Sequence, residues 1–185
     1  MLSFEASCIR SAEISAMVQR TNDRIMSMSL IHQKLFEAQD LSRIDLGDYV
    51  RDLLKSLMTD KSFAPGRIEV STLAESISVP IDSAIPCGLL LRELITNAFR
   101  HAFPGDRHGT VRIGISRIAG GRIAVEVSDD GIGMPEPFDI RKVESLGFQL
   151  IQGMVDQLGG ELVLEIGQGL SCRVSFPDAH IVKRI

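Results

Sequence analysis

From Glu13 to about Ala38 the chain carries neither Gly nor Pro, whereas beyond Pro65-Gly66 it breaks into short alternating segments separated by single helices. This change of period restricts the fold more than any other feature. In the first part Ile14, Val18, Thr21, Ile25, Met28, His32 and Leu35 recur in alternating steps of four and three. That heptad seam suits a helical hairpin or a coiled-coil-like dimer, and equally an amphipathic helix packed on its own domain. Met1 to about Ser7 reads as the end of an earlier helix that turns back on this one. A polar stretch, Gln39 to Asp45, then precedes a second helix, Leu46 to about Thr59, for which Asp45 is placed as the N-cap.

After Pro65 the residues Ile68 to Leu73 alternate apolar with polar, and Ser76 to Val79 is a second short strand candidate. A helix is expected from about Ile85 to Phe103. Two strands, Thr110 to Ile118 and Arg122 to Val127, are joined through Ala119-Gly120-Gly121 as a hairpin. A loop rich in Gly, Pro and Asp runs from Asp129 to Ser145. A further helix, Gly147 to Leu158, stops at Gly159-Gly160, and strands Glu161 to Ile166 and Cys172 to Phe176 follow. Hairpins interleaved with single helices predict a mixed sheet with helices on one face, a two-layer α/β sandwich. With 185 residues, 44% of them hydrophobic, such a core can be buried without disulfides.

Charge and composition exclude several functions. The net charge is -4 and no basic run occurs, which argues against a nucleic-acid partner. Trp is absent and Tyr occurs once, so stacking platforms for single strands are not expected. Cys8, Cys87 and Cys172 are far apart and form no CxxC or Cys/His cluster, which fits buried, reduced thiols and a cytoplasmic setting. No signal peptide is recognisable, and the apolar stretch from Ala84 to Leu91 is too short to span a bilayer, so no direct membrane contact is expected.

The segment Leu89 to Phe103, LLLRELITNAFRHAF, carries candidate chemistry. At 3.6 residues per turn Leu90, Leu91, Leu94, Ile95, Ala98 and Ala102 form a broad apolar side, while Glu93, Asn97, Arg100 and His101 fall on one stripe. Asn is mildly unfavourable inside a helix because its side chain competes for backbone hydrogen bonds. A local rule broken beside charged groups marks a place to look for function. The carboxamide oxygen of Asn97 is a donor suited to Mg²⁺, a hard cation that keeps phosphates in its shell. Glu93 can polarise a nucleophile or hold a metal-bound water, and Arg100 can neutralise phosphate charge. The plain alternative for this helix is a solvated face with a Glu/Arg contact.

The loop SDDGIGMPEP, with Asp129, Asp130, Gly131, Ile132 and Gly133, follows a strand. A dinucleotide fingerprint requires GxGxxG opening a helix, and here Pro135 and Pro137 follow instead. A P-loop requires GK[ST], which is absent. DxGxG after a strand is a third arrangement: the Asp carboxylate accepts from the exocyclic amine of adenine, and the glycines let backbone approach the ring. Gly147, at the start of a helix in Ser145-Leu146-Gly147-Phe148, lets backbone N–H groups face phosphates. A further pair, Gly167 and Gly169, precedes the last strand. Each glycine set alone is an ordinary turn; together, with Asn97 upstream, they are specific.

These residues resemble those of the Bergerat-fold ATPases, the group that holds DNA gyrase B, Hsp90, the histidine kinases and MutL. ELITNAFRHAF resembles their N box, DDGIGM the first glycine box and SLGFQL the second. RIMSMSLIHQKLFEAQDLSRIDLGDYVRDLL and AIPCGLLLRELITNAFRHAFP are similar to the bacterial sensor histidine kinases related to the HWE subclass, and with no Trp the sister group fits better. The resemblance implies a partial helical dimerisation hairpin over residues 1–40 and an ATP-binding catalytic domain over residues 41–185. It implies ATP and Mg²⁺ as ligands, with Asn97 the magnesium ligand and Glu93 assisting phosphoryl transfer. Arg100 would stand where a phosphate-contacting cation usually stands, and His101 would be among the nucleotide-binding residues. Asp129 would bind adenine, Gly131, Gly133 and Gly169 would shape the pocket, and Gly147 would belong to a lid hinge. The lid itself would run from Met134 to Ser145 and carry Arg141 and Lys142. A homodimer through the N-terminal helices and a response regulator partner are also implied.

Two positions depart from that pattern. Gly169 is followed by Leu170 and then Ser171, where the family's third glycine box reads Gly-Thr. None of His32, His101, His108 and His180 lies in a motif like the family's phosphoacceptor HHRVKNN. By alignment Met1 falls just after where that motif would stand. His32, on the heptad seam, reads as a core or interface histidine. Two other functions compete for the same residues: a non-catalytic dimeric scaffold or phosphotransfer protein with a relict nucleotide site, and an anti-sigma-type serine kinase. Intact Glu93, Asn97, Asp129 and both glycine boxes disfavour the first, and the long heptad helix disfavours the second.

Overall fold

The computed structural model describes residues 42–59, 66–134 and 146–178, together with Ser29, a helical and exposed position. The expected heptad helix, the expected partial hairpin of residues 1–40 and the expected lid with Arg141 and Lys142 otherwise lie outside the described residues.

The described part is a two-layer α/β sandwich, as the alternation of strands and helices predicts. Its elements run β1 (Arg43–Asp45), α1 (Leu46–Met58), β2 (Ile68–Ala74), β3 (Ser78–Pro80) and α2 (Ile81–Asn97). A π-helical turn (Ala98–Ala102) follows, then β4 (Gly109–Ile118), β5 (Arg122–Asp129), α3 (Leu146–Gln157), β6 (Glu161–Gly167) and β7 (Gly169–Pro177). The main sheet has strand order β2-β4-β5-β7-β6. β2 runs parallel to β4 and the other pairs are antiparallel, so the sheet is mixed as expected. The Ala119-Gly120-Gly121 turn joins β4 to β5 in a hairpin, with Gly120 and Gly121 both at positive φ.

Period-2 alternation sends Val111, Ile113 and Ile115 of β4 and Ile123, Val125 and Val127 of β5 into the core. The three helices cover that face. α1 contributes Leu46, Tyr49, Val50, Leu53, Leu54 and Leu57 to the same core, and the Tyr49 hydroxyl donates to the Gly88 carbonyl at 3.3 Å. α2 is the central helix, packed on both α1 and α3. Its flanks are therefore covered, and even Arg92, Glu93 and Thr96 are buried.

Within the polar stretch expected before α1, Arg43–Asp45 form a short strand, β1, paired antiparallel with β3. Three residues are too few to show a period, so the pairing is set by its surroundings. Asp45 does cap α1: its Oδ1 accepts from the Asp48 N–H at 2.8 Å. Its Oδ2 accepts from the Ser76 hydroxyl, and Leu46 N donates to the Ile77 carbonyl at 2.9 Å, which ties the cap to the β2–β3 connection.

Two helix limits differ from expectation. α2 begins at Ile81, four residues before the expected Ile85, and runs through Pro86. Pro86 forfeits one backbone bond, and burial of Ala84, Pro86, Cys87 and Gly88 holds the helix together around it. At the other end the α-helix stops at Asn97 rather than continuing to Phe103, and a π-helical turn replaces its last part. Among the described residues no helix is long and apolar enough to cross a membrane.

Candidate functional site

A cavity of about 380 Å³ lies between the end of α2, the π-helical turn, α3 and the sheet. Its floor follows from strand register. Val127 of β5 stands opposite Cys172 of β7, and Cys172 stands opposite Leu164 of β6, so three apolar side chains form a row across three strands. Asp129 is two residues beyond Val127 on the same face of β5 and puts a carboxylate beside that row. Asn97 and His101 approach from the helix side, and Phe148 and Ile151 from α3. The cavity is thus an apolar slot with few polar groups, which is the usual build of a small-molecule site.

The loop after β5 is held by backbone bonds. Asp129 Oδ1 accepts from the Gly131 N–H at 2.9 Å and from the Leu170 N–H at 3.3 Å. Both bonds fall on one oxygen, and among the described residues Oδ2 accepts none. Asp130 Oδ1 accepts from the Thr110 N–H at 2.7 Å, and Asp130 N donates to the Thr110 carbonyl at 3.3 Å. Burial lifts the Asp129 carboxyl above the usual 3.8, with the Asp130 charge adding to it. The N–H groups of Gly131 and Leu170 and the charge of Arg107 pull the other way. Cys172, buried and next to the Asp129 charge, is pushed up to about 12 and stays a thiol at neutral pH.

Glycine is required in this loop by close approach. A Cβ on Gly131 would lie 2.7 Å from the Ala102 carbonyl carbon and closer still to its oxygen. This packing lets Ile132 N donate to the Ala102 carbonyl at 2.9 Å, tying the loop to the π-helical turn. A Cβ on Gly169 would lie 2.7 Å from the Asp129 carbonyl carbon, again with the oxygen closer.

Of the residues proposed from sequence, the cavity brings together Asn97, His101, Asp129, Gly133 and Gly147. Gly131 and Gly169 stand behind it as packing positions. Glu93 is one turn before Asn97 and buried, 7% exposed, and does not line the cavity. Arg100 is exposed and also off the cavity wall. The π-helical turn shifts both residues relative to Asn97: with fewer degrees per residue, Arg100 falls further from the Asn97 side while His101 stays near it, so the 3.6-residue projection no longer holds beyond Asn97. The apolar floor of Val127, Leu164, Leu170 and Cys172 belongs to no sequence motif, although period-2 spacing from Asp129 points to Val127. Among the described residues no cluster of three or more His, Cys, Asp or Glu side chains is suited to a metal ion. Any metal here would depend on ligands beyond such a cage, as Mg²⁺ does when it is held largely by phosphates.

Residues 83–180 match the family described as histidine kinase-, DNA gyrase B-, and HSP90-like ATPase, and residues 1–60 match the family described as histidine kinase. Blue-light-activated histidine kinase 2 of Erythrobacter litoralis is 31% identical over 159 residues, 83% of this chain and 45% of that protein. Sensor histidine kinase PdtaS of Mycobacterium tuberculosis is 32% identical over 141 residues, 75% of this chain and 28% of that protein. The chain therefore spans less than half the length of these relatives. Among solved structures, the histidine kinase domain of an Erythrobacter litoralis blue-light-activated histidine kinase superposes with a TM-score of 0.76 at 30% identity. That match covers 87% of this chain and 76% of the other.

Proposed function

Because the chain belongs to the family of histidine kinase-, DNA gyrase B- and HSP90-like ATPases, we propose that it is the ATP-binding catalytic region of a two-component sensor histidine kinase, transferring the γ-phosphoryl group of ATP to a histidine. One observation carries this reading. Asp129 has Oδ1 fixed by two backbone N–H groups and Oδ2 left for a ligand, at the edge of an apolar slot that Asn97 enters from a helix. A flat apolar slot with one acceptor at its edge fits an adenine ring and its exocyclic amine.

In this reading Asn97 and His101 face the phosphate side, and Asn97 supplies an oxygen donor to Mg²⁺. The ion would supply neutralisation of the phosphate charge. Glu93 assists phosphoryl transfer from one helical turn before Asn97, and the exposed Arg100 contacts phosphate. Gly133, Gly147 and Gly169 let backbone come close to the nucleotide and its loops. The protein's part is positioning and charge stabilisation rather than covalent chemistry. In the same reading residues 1–40 would belong to a partial helical dimerisation hairpin and residues 41–185 to the ATP-binding catalytic domain. Core burial of the apolar face of α1 supports that boundary. A homodimer, a response regulator partner and a cytoplasmic location complete the proposal.

Calorimetric titration tests it. The chain is expected to bind ATP in a Mg²⁺-dependent manner, and Asn97→Ala to remove that dependence with a loss of about tenfold or more in affinity. None of the four histidines has the acceptor context, so labelled ATP is expected to leave no stable phosphohistidine on this chain alone. Acid-labile, hydroxylamine-sensitive label on it would overturn that part.

The Asp129 carboxylate sets a pH dependence. Its folded pKa is raised, so protonation begins at a higher pH than for an ordinary carboxyl of 3.8. A protonated carboxyl is a poorer acceptor for the adenine amine. Adenosine affinity is therefore expected to fall on acidification with a midpoint above 3.8, and a flat profile through that range would exclude Asp129 as the acceptor.

A further inference from the structure

We propose that Arg107, which no motif singles out, is a positioning residue for the nucleotide: its guanidinium sets the two peptide planes that hold Asp129 in its adenine-binding posture. The proposal rests on the ATP reading above. Arg107 Nη2 donates to the Asp130 carbonyl at 2.9 Å and to the Gly131 carbonyl at 3.2 Å. Each of those carbonyls belongs to a planar peptide unit whose N–H points the opposite way. In the Asp130–Gly131 unit that N–H is the Gly131 donor to Asp129 Oδ1. In the Gly131–Ile132 unit it is the Ile132 donor to the Ala102 carbonyl. One cation on the outside of the loop thus fixes both donors on the inside. The first holds the adenine-recognising carboxylate, and the second ties the loop to the turn that follows Asn97.

Arg107 is itself placed by a short turn. Its N–H donates to the Pro104 carbonyl at 3.3 Å, with Gly105 at positive φ inside the turn. Arg67 Nη1, just ahead of β2, donates to the Gly105 carbonyl and reaches Asp106 Oδ1 at 3.3 Å. The clamp is therefore supported from the sheet edge and does not hang from a free loop. The guanidinium also favours the ionised form of Asp129. The other titratable groups around that carboxylate are Asp130 on the same loop, Cys172 on β7 and His101 across the cavity.

The test uses Arg107→Gln and Arg107→Lys in the full chain. In the nucleotide-free protein, Arg107→Gln is expected to lower hydrogen-exchange protection of the Gly131 and Ile132 amides by about tenfold. It is expected to weaken adenosine and Mg·ATP by a similar factor of about ten, because the defect lies on the adenine side. The acid limb of adenosine binding should move to higher pH as the favourable charge is lost. Arg107→Lys, which keeps a cation with several donors, should restore most of all three. Parent-like amide protection together with parent-like adenosine affinity in Arg107→Gln would overturn the proposal. So would a loss confined to ATP, which would make Arg107 a direct phosphate contact. Failure of the parent chain to bind either ligand would sink the ATP reading instead, and the amide protection would still decide the clamp.

Discussion

Asp129→Asn is expected to fold as the parent chain does and to lose about a hundredfold or more in affinity for ATP. The substitution keeps a carbonyl oxygen for the Gly131 and Leu170 N–H groups, which both bond Oδ1. It replaces Oδ2 with an NH₂ group. Two donors, the new amide and the adenine amine, would then face each other in an apolar slot, and neither would have an acceptor. Stability moves the other way. Burial raises the Asp129 pKa, so its contribution to folding is favourable below the unfolded pKa and is lost as pH rises through the folded value. At neutral pH the ionised carboxylate works against the nucleotide-free fold, and the neutral amide relieves it along with the repulsion from Asp130. Thermal unfolding should show a midpoint equal to or above that of the parent, while calorimetry shows the binding loss. Parent-like ATP affinity would remove Asp129 from adenine recognition; a markedly lower midpoint would mean that the charge itself supports the loop. The pairing of lost binding with retained stability separates a ligand contact from a structural one.

Much of this site was legible because its chemistry sits on short, regular segments. The place of Asn97 on its helix and the strand-loop order around Asp129 need only local geometry to interpret. The two-layer architecture followed from alternation in β4 and β5, and the cap at Asp45 from its place before an apolar-periodic segment. What escaped was set by distant contacts. Arg100 and His101 were projected onto one stripe because no local signal announces a π-helical turn. The turn is held from outside, by Ile132 N on the Ala102 carbonyl and by Gly131 packed on Ala102. Glu93 projects onto the same stripe as Asn97, yet it is buried off the cavity because α2 lies between α1 and α3, and a single helix cannot show how many neighbours it has. β1 depends on a partner, β3, more than thirty residues away in the chain. Arg107 looks like any loop cation in sequence, and its meaning lies in two carbonyls beyond β4 and β5.

Gly169 and Gly167 offer the sharpest test of the packing, since they flank one residue and their environments are opposite. At Gly167 a Cβ would meet nothing within 4 Å, and its φ is not in the left-handed region. At Gly169 φ is +101 and the Cβ would run into the Asp129 carbonyl group. That obstacle is backbone at the end of a central strand, so no side-chain rotation relieves it. Left-handed backbone at a non-glycine residue costs about 1–3 kcal/mol, and overpacking adds about as much again. Gly169→Ala is therefore expected to destabilise the domain by about 3 kcal/mol or more, a fall in melting midpoint of about 10 °C for a domain of this size. Gly167→Ala should melt within about a degree of the parent, a surface change of ordinary size. Nucleotide binding adds a second readout. The Asp129 carbonyl cannot retreat from the new methyl group without moving the carboxylate, because the Leu170 N–H that bonds Oδ1 follows Gly169 directly. ATP affinity measured well below the new melting midpoint should therefore also fall in Gly169→Ala and hold in Gly167→Ala. If both variants melt like the parent, the close approach of the last glycine loop to the Asp129 backbone is not a feature of the folded chain.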